Sequence, residues 1–173
     1  AFQVIWAIGI SMVMLGLMVL IRLPYKVIFI LGVIIVAGHN LLDIPEAAPG
    51  FQASFAWDLL HHGVFRPYEF SANRFAFLVY PFPAWTGVMM LGYCAGALFT
   101  PVFSSDRRRK ILTRIGMGLI VFFVALRFSN VYGDPVDWST QKNGFYTFLS
   151  FINVDKYPPS LLYLCITIGP ALL

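Results

Sequence analysis

Charged residues are scarce in this 173-residue chain. Asp, Glu, Lys and Arg together make up 12% of the sequence, against about 25% in an ordinary soluble domain. Hydrophobic residues make up 59%. The shortage of charge argues against a soluble globular protein and predicts an integral membrane protein.

Cysteine and the common catalytic motifs are also rare or missing. The two cysteines, Cys94 and Cys165, lie in apolar segments, and their spacing matches neither a disulfide framework nor a metal site. The chain has no glycine-rich phosphate loop, no HExxH motif and no nucleophile elbow. We therefore expect no metal, and any enzymatic function has to be argued from isolated polar residues.

The basic residues are concentrated rather than scattered. Seven of the twelve Lys and Arg residues lie in two short stretches, Arg22–Lys26 and Arg107–Arg114. Clusters of this kind beside apolar segments are typical of cytoplasmic loops in membrane proteins. We interpret the net charge of +4 as a topology signal and a contact with the lipid bilayer, and we expect no nucleic-acid partner.

Long apolar runs are what the chain does contain. About 20 apolar residues in a helix cross the roughly 30 Å hydrocarbon core of a bilayer. The sequence predicts an all-α, polytopic integral membrane helix bundle, a single transmembrane domain over residues 1–173, with about five spans. These lie near residues 2–21, 25–42, 83–103, 111–128 and 158–173. Because apolar segments begin and end the sequence, we expect a fragment of a larger protein. We expect no signal peptide, because the first apolar run has no basic leader before it and no small-residue cleavage site after it.

The alternation of spans gives the expected topology. If the basic turns are cytoplasmic, the two long loops at 43–82 and 129–157 are both extracytoplasmic. The first loop is long enough to have a function or to form a small cap. We expect one short interfacial helix near Phe51–Leu60 and an amphipathic helix over Gly144–Phe151.

His39, Asn40 and Asp43 follow the second apolar segment. If the helix continues to Asp43, His39 and Asp43 share a face at i,i+4, and Asp43 is then predicted to orient the imidazole for proton transfer. The alternative is that His39 and Asn40 only cap the helix in the headgroup region. His61 and His62 are adjacent, point about 100° apart on a helix, and are interpreted as an ordinary interfacial pair.

Arg127 stands near the end of the fourth apolar segment, where a cation tends to face a cavity or a partner. Snorkelling to the surface is the alternative. Asn130 and Asp134 follow at about one-turn spacing, although Gly133 and Pro135 favour a turn there. Such a turn is still able to present both side chains to a polar substrate.

Several stretches resemble a known family. The motifs GHNLLD, YPFPAWTGVMMLGYCAGALF, LRFSNVYGDPVDW and KYPPSLL are similar to those of a bacterial membrane protein family of unknown function. That family is related to heparan-alpha-glucosaminide N-acetyltransferase, in a transmembrane acyltransferase superfamily. The resemblance implies a bundle of about ten helices in the bacterial inner membrane. Such a bundle moves an acyl group from cytosolic acetyl-CoA or another acyl-CoA to a sugar-type acceptor on the extracytoplasmic side.

The family hallmark, an Arg-Gly and an Asp-His pair in the first helices, has no match here, so the main catalytic histidine is expected outside this chain. The resemblance makes His39 and Asp43 candidates for a catalytic role. Acceptor-side candidates are Asn40, Arg127, Asn130 and Asp134. Arg107, Arg108, Arg109 and Lys110 are candidates for the coenzyme A contact, although topology alone also explains them. A small-molecule transporter or flippase and a non-catalytic membrane subunit are the alternatives, and homo-oligomerisation is left open.

Overall fold

The computed structural model describes residues 2–61, 67–71 and 74–173, and the described part is mostly helical. The chain divides into two compact units, Ala1–Ala97 and Leu98–Leu173. The first unit contains the helices α1 (Val4–Leu20), α2 (Tyr25–Gly38), α3 (Asp43–Glu46), α4 (Phe55–Leu60) and α5 (Pro83–Ala95), with strands β1 (Pro67–Ser71) and β2 (Arg74–Phe77). The second unit contains α6 (Ser105–Ser129), α7 (Gly144–Ile152) and α8 (Leu161–Ala171).

All five predicted apolar segments are helical, but they differ in length. Two helical stretches, Tyr25–Glu46 and Ser105–Ser129, are long and apolar enough to cross a membrane. The other three, Val4–Leu20, Pro83–Phe99 and Leu161–Ala171, are shorter. These lengths support a mostly helical fold and favour a membrane location.

The third predicted span, near residues 83–103, ends earlier than expected. Helix α5 gives way to a 3₁₀ turn over Gly96–Phe99. Gly92 and Gly96 weaken the helix because glycine loses the most backbone freedom there. Pro101 then disfavours the α conformation at Thr100. Local glycine and proline chemistry thus shortens a segment that apolar composition alone would extend.

Helix α6 begins before the fourth predicted span, which was expected near residues 111–128. The basic run Arg107–Lys110 lies inside the first turns of α6 rather than in a turn before it. The side chain of Ser104 caps the helix by accepting a hydrogen bond from the Arg107 backbone N–H at 3.3 Å. Asp106 in the first turn is also favourable at a helix N-terminus. Ser104 and Asp106 therefore favour a helix that begins before the basic run Arg107–Lys110.

The long loop at 43–82 contains an element that the sequence analysis missed. Strands β1 and β2 pair as an antiparallel hairpin, with Tyr68 opposite Ala76 and Glu69 opposite Phe75. Aromatic residues are enriched in strands, but these strands are too short for the sequence pattern to stand out. The helix expected near Phe51–Leu60 is present as α4 but begins only at Phe55, and the amphipathic helix expected from Gly144 is confirmed as α7.

Helix α5 is the centre of the first unit and packs against both α1 and α2. A Cβ atom added at Gly87 would lie 2.8 Å from Val36 Cγ2 and 3.2 Å from the Gly32 carbonyl oxygen. Small residues therefore allow α2 and α5 to approach closely. Helix α1 is joined to α5 by a buried hydrogen bond of 2.8 Å between the hydroxyls of Ser11 and Thr86.

The second unit is held by a similar close approach between α6 and α8. A Cβ atom added at Gly116 would lie 2.6 Å from the Gly169 carbonyl oxygen, and one added at Gly169 would lie 3.2 Å from the Gly116 carbonyl oxygen. The two backbones are thus nearly in contact. This contact requires glycine on both helices.

We expect Gly116→Ala to destabilise the protein, because the added methyl group would push α8 away from α6 at a backbone contact. Overpacking of this kind costs about 1–3 kcal/mol. Gly118→Ala on the same helix is the matched control, since nothing lies within 4 Å of its Cβ position. Thermal unfolding of both variants in detergent is the measurement. Equal midpoints for the two variants would contradict the close helix contact.

Candidate functional site

His39 lies where α2 changes into a 3₁₀ turn over His39–Leu42. Its side chain is buried, with 7% of the residue surface exposed. Nδ1 lies 2.9 Å from the Val36 carbonyl oxygen and 3.3 Å from that of Ile35. Because a carbonyl oxygen only accepts hydrogen bonds, Nδ1 must carry the proton. In a neutral imidazole, Nε2 is then the nitrogen that accepts a proton.

The Asp43 carboxylate does not orient His39, so this part of the sequence prediction was wrong. In a 3₁₀ turn, residues three apart lie on the same side, whereas an α-helix aligns residues four apart. The turn therefore brings Asn40 to Asp43, and Asn40 Nδ2 donates to Asp43 Oδ2 at 2.7 Å. The change in helix type explains the change of partner.

The other partner of Asp43 is His61, which the sequence analysis set aside as interfacial. His61 follows α4, is 1% exposed, and its Nε2 lies 2.6 Å from Asp43 Oδ1. This pair joins residues 18 positions apart in the chain. Neither residue type nor local spacing signals such a contact. The neighbouring His62 lies outside the described residues.

Two aromatic side chains hold α4 and the hairpin around this pair. Trp57 Nε1 donates a hydrogen bond to Glu46 Oε1, which ties α4 to α3. The Tyr68 hydroxyl donates to Asp58 Oδ2, and the ring of Tyr68 packs edge-on against Phe55 at 4.9 Å between centroids. Asp58 is completely buried. We call the set Asn40, Asp43, Glu46 and His61 the loop cluster.

The loop cluster contains three side chains that are suited to a metal ion. One oxygen of Asp43, one oxygen of Glu46 and one ring nitrogen of His61 lie within 4.8 Å of one another. No metal was expected from the sequence, because the two cysteines are not spaced as a metal site, no HExxH motif is present, and the adjacent residues His61 and His62 point in different directions on a helix. Glu46, which completes the set, was not considered.

Arg127 in the second unit is enclosed by backbone oxygens. It is 2% exposed. Its guanidinium donates to the carbonyl oxygens of Phe151 at 2.9 Å, Val136 at 2.7 Å, Ser150 at 3.2 Å and Asn153 at 2.5 Å. Three of these carbonyls belong to the C-terminal end of α7, where a cation is favourable. Arg127 thus fixes α7 against the end of α6 and does not snorkel.

Asn130 and Asp134 organise the loop that follows α6. Asn130 ends the helix in the left-handed conformation, with φ of 48°, and its side-chain amide pairs with the backbone of Trp138 at 3.0 and 3.3 Å. Asp134 accepts from the Ser160 hydroxyl at 2.7 Å and from the Asp155 N–H at 2.8 Å.

The Asp134 carboxyl also lies 3.5 Å from the Arg127 guanidinium. Burial raises the pKa of this carboxyl, although its hydrogen bonds and the charge of Arg127 act in the opposite direction. Arg127, Asn130 and Asp134 therefore all have partners within the second unit. Their expected binding of an acceptor stays a prediction.

The four cations expected to contact coenzyme A lie together on the first turns of α6. Arg107 is stacked over the Phe103 ring at 5.1 Å and Arg108 over the Phe99 ring at 5.0 Å. Arg107, Arg109 and Lys110 are exposed. They are accessible to an anionic group, either a lipid headgroup or a phosphate ester. The predicted site residues thus fall into two sets, one in each compact unit.

Comparison of the chain with protein-family models, with curated proteins and with solved structures finds no match.

Replacing Arg127 is expected to be strongly destabilising. Arg127→Met would leave the α7 carbonyls and the Asp134 carboxylate without their buried cation, a change that costs about 3–5 kcal/mol. Arg109→Met on the exposed part of the same helix is the control and should change stability by less than about 0.5 kcal/mol. The free energy of unfolding of the two variants is measured by chemical denaturation in detergent. A cost equal to that of the control would show that Arg127 does not hold α7.

Proposed function

We propose that this chain is part of an integral membrane acyltransferase, which moves an acyl group from acyl-CoA in the cytosol to a polar acceptor on the other side. In this proposal all five apolar helices contribute to a larger bundle of about ten spans in a bacterial inner membrane. The basic residues of α6 lie on the cytoplasmic side. The family resemblance of the GHNLLD and KYPPSLL motifs supports the proposal.

Exposed apolar surface supports the membrane part of the proposal. In the two long apolar helical stretches, 22% and 17% of the residues in the apolar windows are buried. The core helix of a soluble protein would be mostly buried. Ile5 on α1 and Val121 on α6 are 87% and 63% exposed. Contact with lipid or with further helices would remove such side chains from water.

The single observation that supports the enzymatic part is the burial and hydrogen bonding of His39, which we propose as the base in place of the family histidine expected outside this chain. This histidine is buried at the end of a long apolar helix, and its Nδ1–H is directed to the Val36 carbonyl oxygen. A backbone acceptor on Nδ1 fixes the tautomer in which Nε2 acts as a base. A general base of this type is what acyl transfer to a hydroxyl or amine requires.

The proposed reaction proceeds as follows. Nε2 of His39 accepts the proton of the acceptor hydroxyl or amine, whose oxygen or nitrogen attacks the thioester carbonyl carbon. The carbon–sulfur bond breaks, and the thiolate of coenzyme A takes up a proton from the imidazolium. Burial of the site keeps water from competing as the acceptor. No metal or redox group takes part in these steps.

The basic residues at the start of α6 are proposed to hold the phosphates of the coenzyme. Arg107, Arg108, Arg109 and Lys110 supply up to four positive charges on consecutive positions. Arginine is well suited to bind phosphate because its planar guanidinium donates two parallel hydrogen bonds. The stacking of Arg107 and Arg108 on phenylalanine rings limits their freedom before binding. In this arrangement less entropy is lost when the phosphates bind.

His39→Asn tests the proposed base. The Asn amide occupies the position of Nδ1 and keeps a donor for the Val36 carbonyl, whereas the accepting nitrogen is lost. We expect acyl transfer from labelled acetyl-CoA to a panel of sugar acceptors to fall by about 10²–10⁴-fold, with unchanged thermal stability. His39→Gln, which places its amide near the Nε2 position, is the matched comparison.

Full activity of a folded His39→Asn protein would show that His39 is not the base. If the wild-type protein binds no acyl-CoA, the acyltransferase proposal itself is wrong. Movement of a solute across proteoliposomes without acyl-CoA would instead favour the transporter alternative. Co-purification with another membrane protein at fixed stoichiometry, without either activity, would favour a non-catalytic subunit.

A further inference from the structure

We propose that Asp43, Glu46 and His61 bind a first-row divalent metal ion such as Zn²⁺. This site is separate from the proposed base His39, and its test does not require acyl transfer. The three side chains come from both ends of the short helix α3 and from the residue after α4. An ion bound there would close the chain between α3 and α4 into a loop.

The donor set matches the chemistry of such an ion. One imidazole nitrogen and two carboxylate oxygens are common zinc ligands, and three protein ligands leave a fourth position open. Imidazole together with carboxylate favours Zn²⁺ or Mn²⁺ over Mg²⁺ or Ca²⁺, which prefer oxygen ligands alone. The choice of ligands thus defines the class of ion.

The distances require only small side-chain movements. The three donor atoms lie within 4.8 Å of one another, and the closest pair, His61 Nε2 and Asp43 Oδ1, is 2.6 Å apart. Tetrahedral zinc with bonds of roughly 2.0–2.2 Å places its ligand atoms about 3.3–3.6 Å apart. The close pair has to open by about 1 Å, and the widest separation has to shrink by a similar distance. Rotation about side-chain bonds is sufficient for both.

Neighbouring groups orient the two carboxylates. Asn40 Nδ2 donates to Oδ2 of Asp43, which leaves Oδ1 on the side of His61. Trp57 Nε1 donates to Oε1 of Glu46. Hydrogen bonds from a second layer of residues are typical of metal sites, where they fix ligand orientation. These hydrogen bonds, and the presence of a buried histidine among the ligands, distinguish the site from a group of exposed carboxylates that lie close together by chance.

Burial leaves a route for the ion. The His61 side chain is 1% exposed, whereas the Asp43 side chain is 21% exposed and Glu46 is half-buried. His61 is therefore the buried ligand, and the two carboxylates are the ligands that solvent reaches. An ion would enter from the carboxylate side and replace the direct contact between Asp43 Oδ1 and His61 Nε2.

The test uses tag-free protein in detergent micelles, stripped with EDTA and titrated with Zn²⁺. Bound zinc is measured by elemental analysis after gel filtration, and Co²⁺ is used in parallel for its visible absorption bands. We expect about one ion per chain. Glu46→Gln keeps an oxygen acceptor for Trp57 and leaves the Asp43–His61 contact in place, yet it should weaken binding by at least about tenfold.

His61→Gln should weaken binding further, and Asp137→Asn at an exposed position of the second unit is the control that should not. Circular dichroism of each variant shows whether it is folded. If folded wild-type protein retains no zinc, the proposal is wrong. It is also wrong if Glu46→Gln and His61→Gln retain as much zinc as the control, because the ion then binds elsewhere.

Discussion

A buried polar group needs a hydrogen-bond partner, and α2 and α6 both meet this requirement at the same point, where the helix ends. In apolar surroundings an unpaired donor or acceptor costs several kcal/mol. After α2 the partners come from side chains, with Asn40 and His61 on the Asp43 carboxylate. After α6 they come from backbone carbonyls around Arg127. In each unit the loop after the long helix is folded around these polar contacts.

Between the helices, close packing occurs at glycine residues. Small residues allow two helix backbones to approach closely, which increases the van der Waals contact between the helices. Gly32 and Gly87 allow the close approach of α2 and α5. Gly116 and Gly169 allow that of α6 and α8. Each unit therefore combines a tight glycine contact along its helices with a polar assembly at the helix end.

Much of the helical part of the fold could be predicted from the sequence, since long apolar runs and capping residues act locally. The start of α7 follows from Asn143, whose side chain accepts from the Tyr146 N–H. The site was less predictable. The Asp43–His61 contact depends on how α4 folds back, and the carbonyls around Arg127 have no signature in residue type. The hairpin of β1 and β2 has strands too short for a clear pattern.

The 3₁₀ turn after α2 sets the direction in which this end of the helix presents its side chains. Each residue of a 3₁₀ helix turns 120° about the axis, against 100° in an α-helix. Over the four steps from His39 to Asp43 the difference adds up to roughly 80°. The number of residues per turn thus determines whether the His39 imidazole and the Asp43 carboxylate lie on the same side of the helix axis or contact different neighbours. A segment of only four residues, His39–Leu42, acts as an angular adapter between α2 and the residues that follow it.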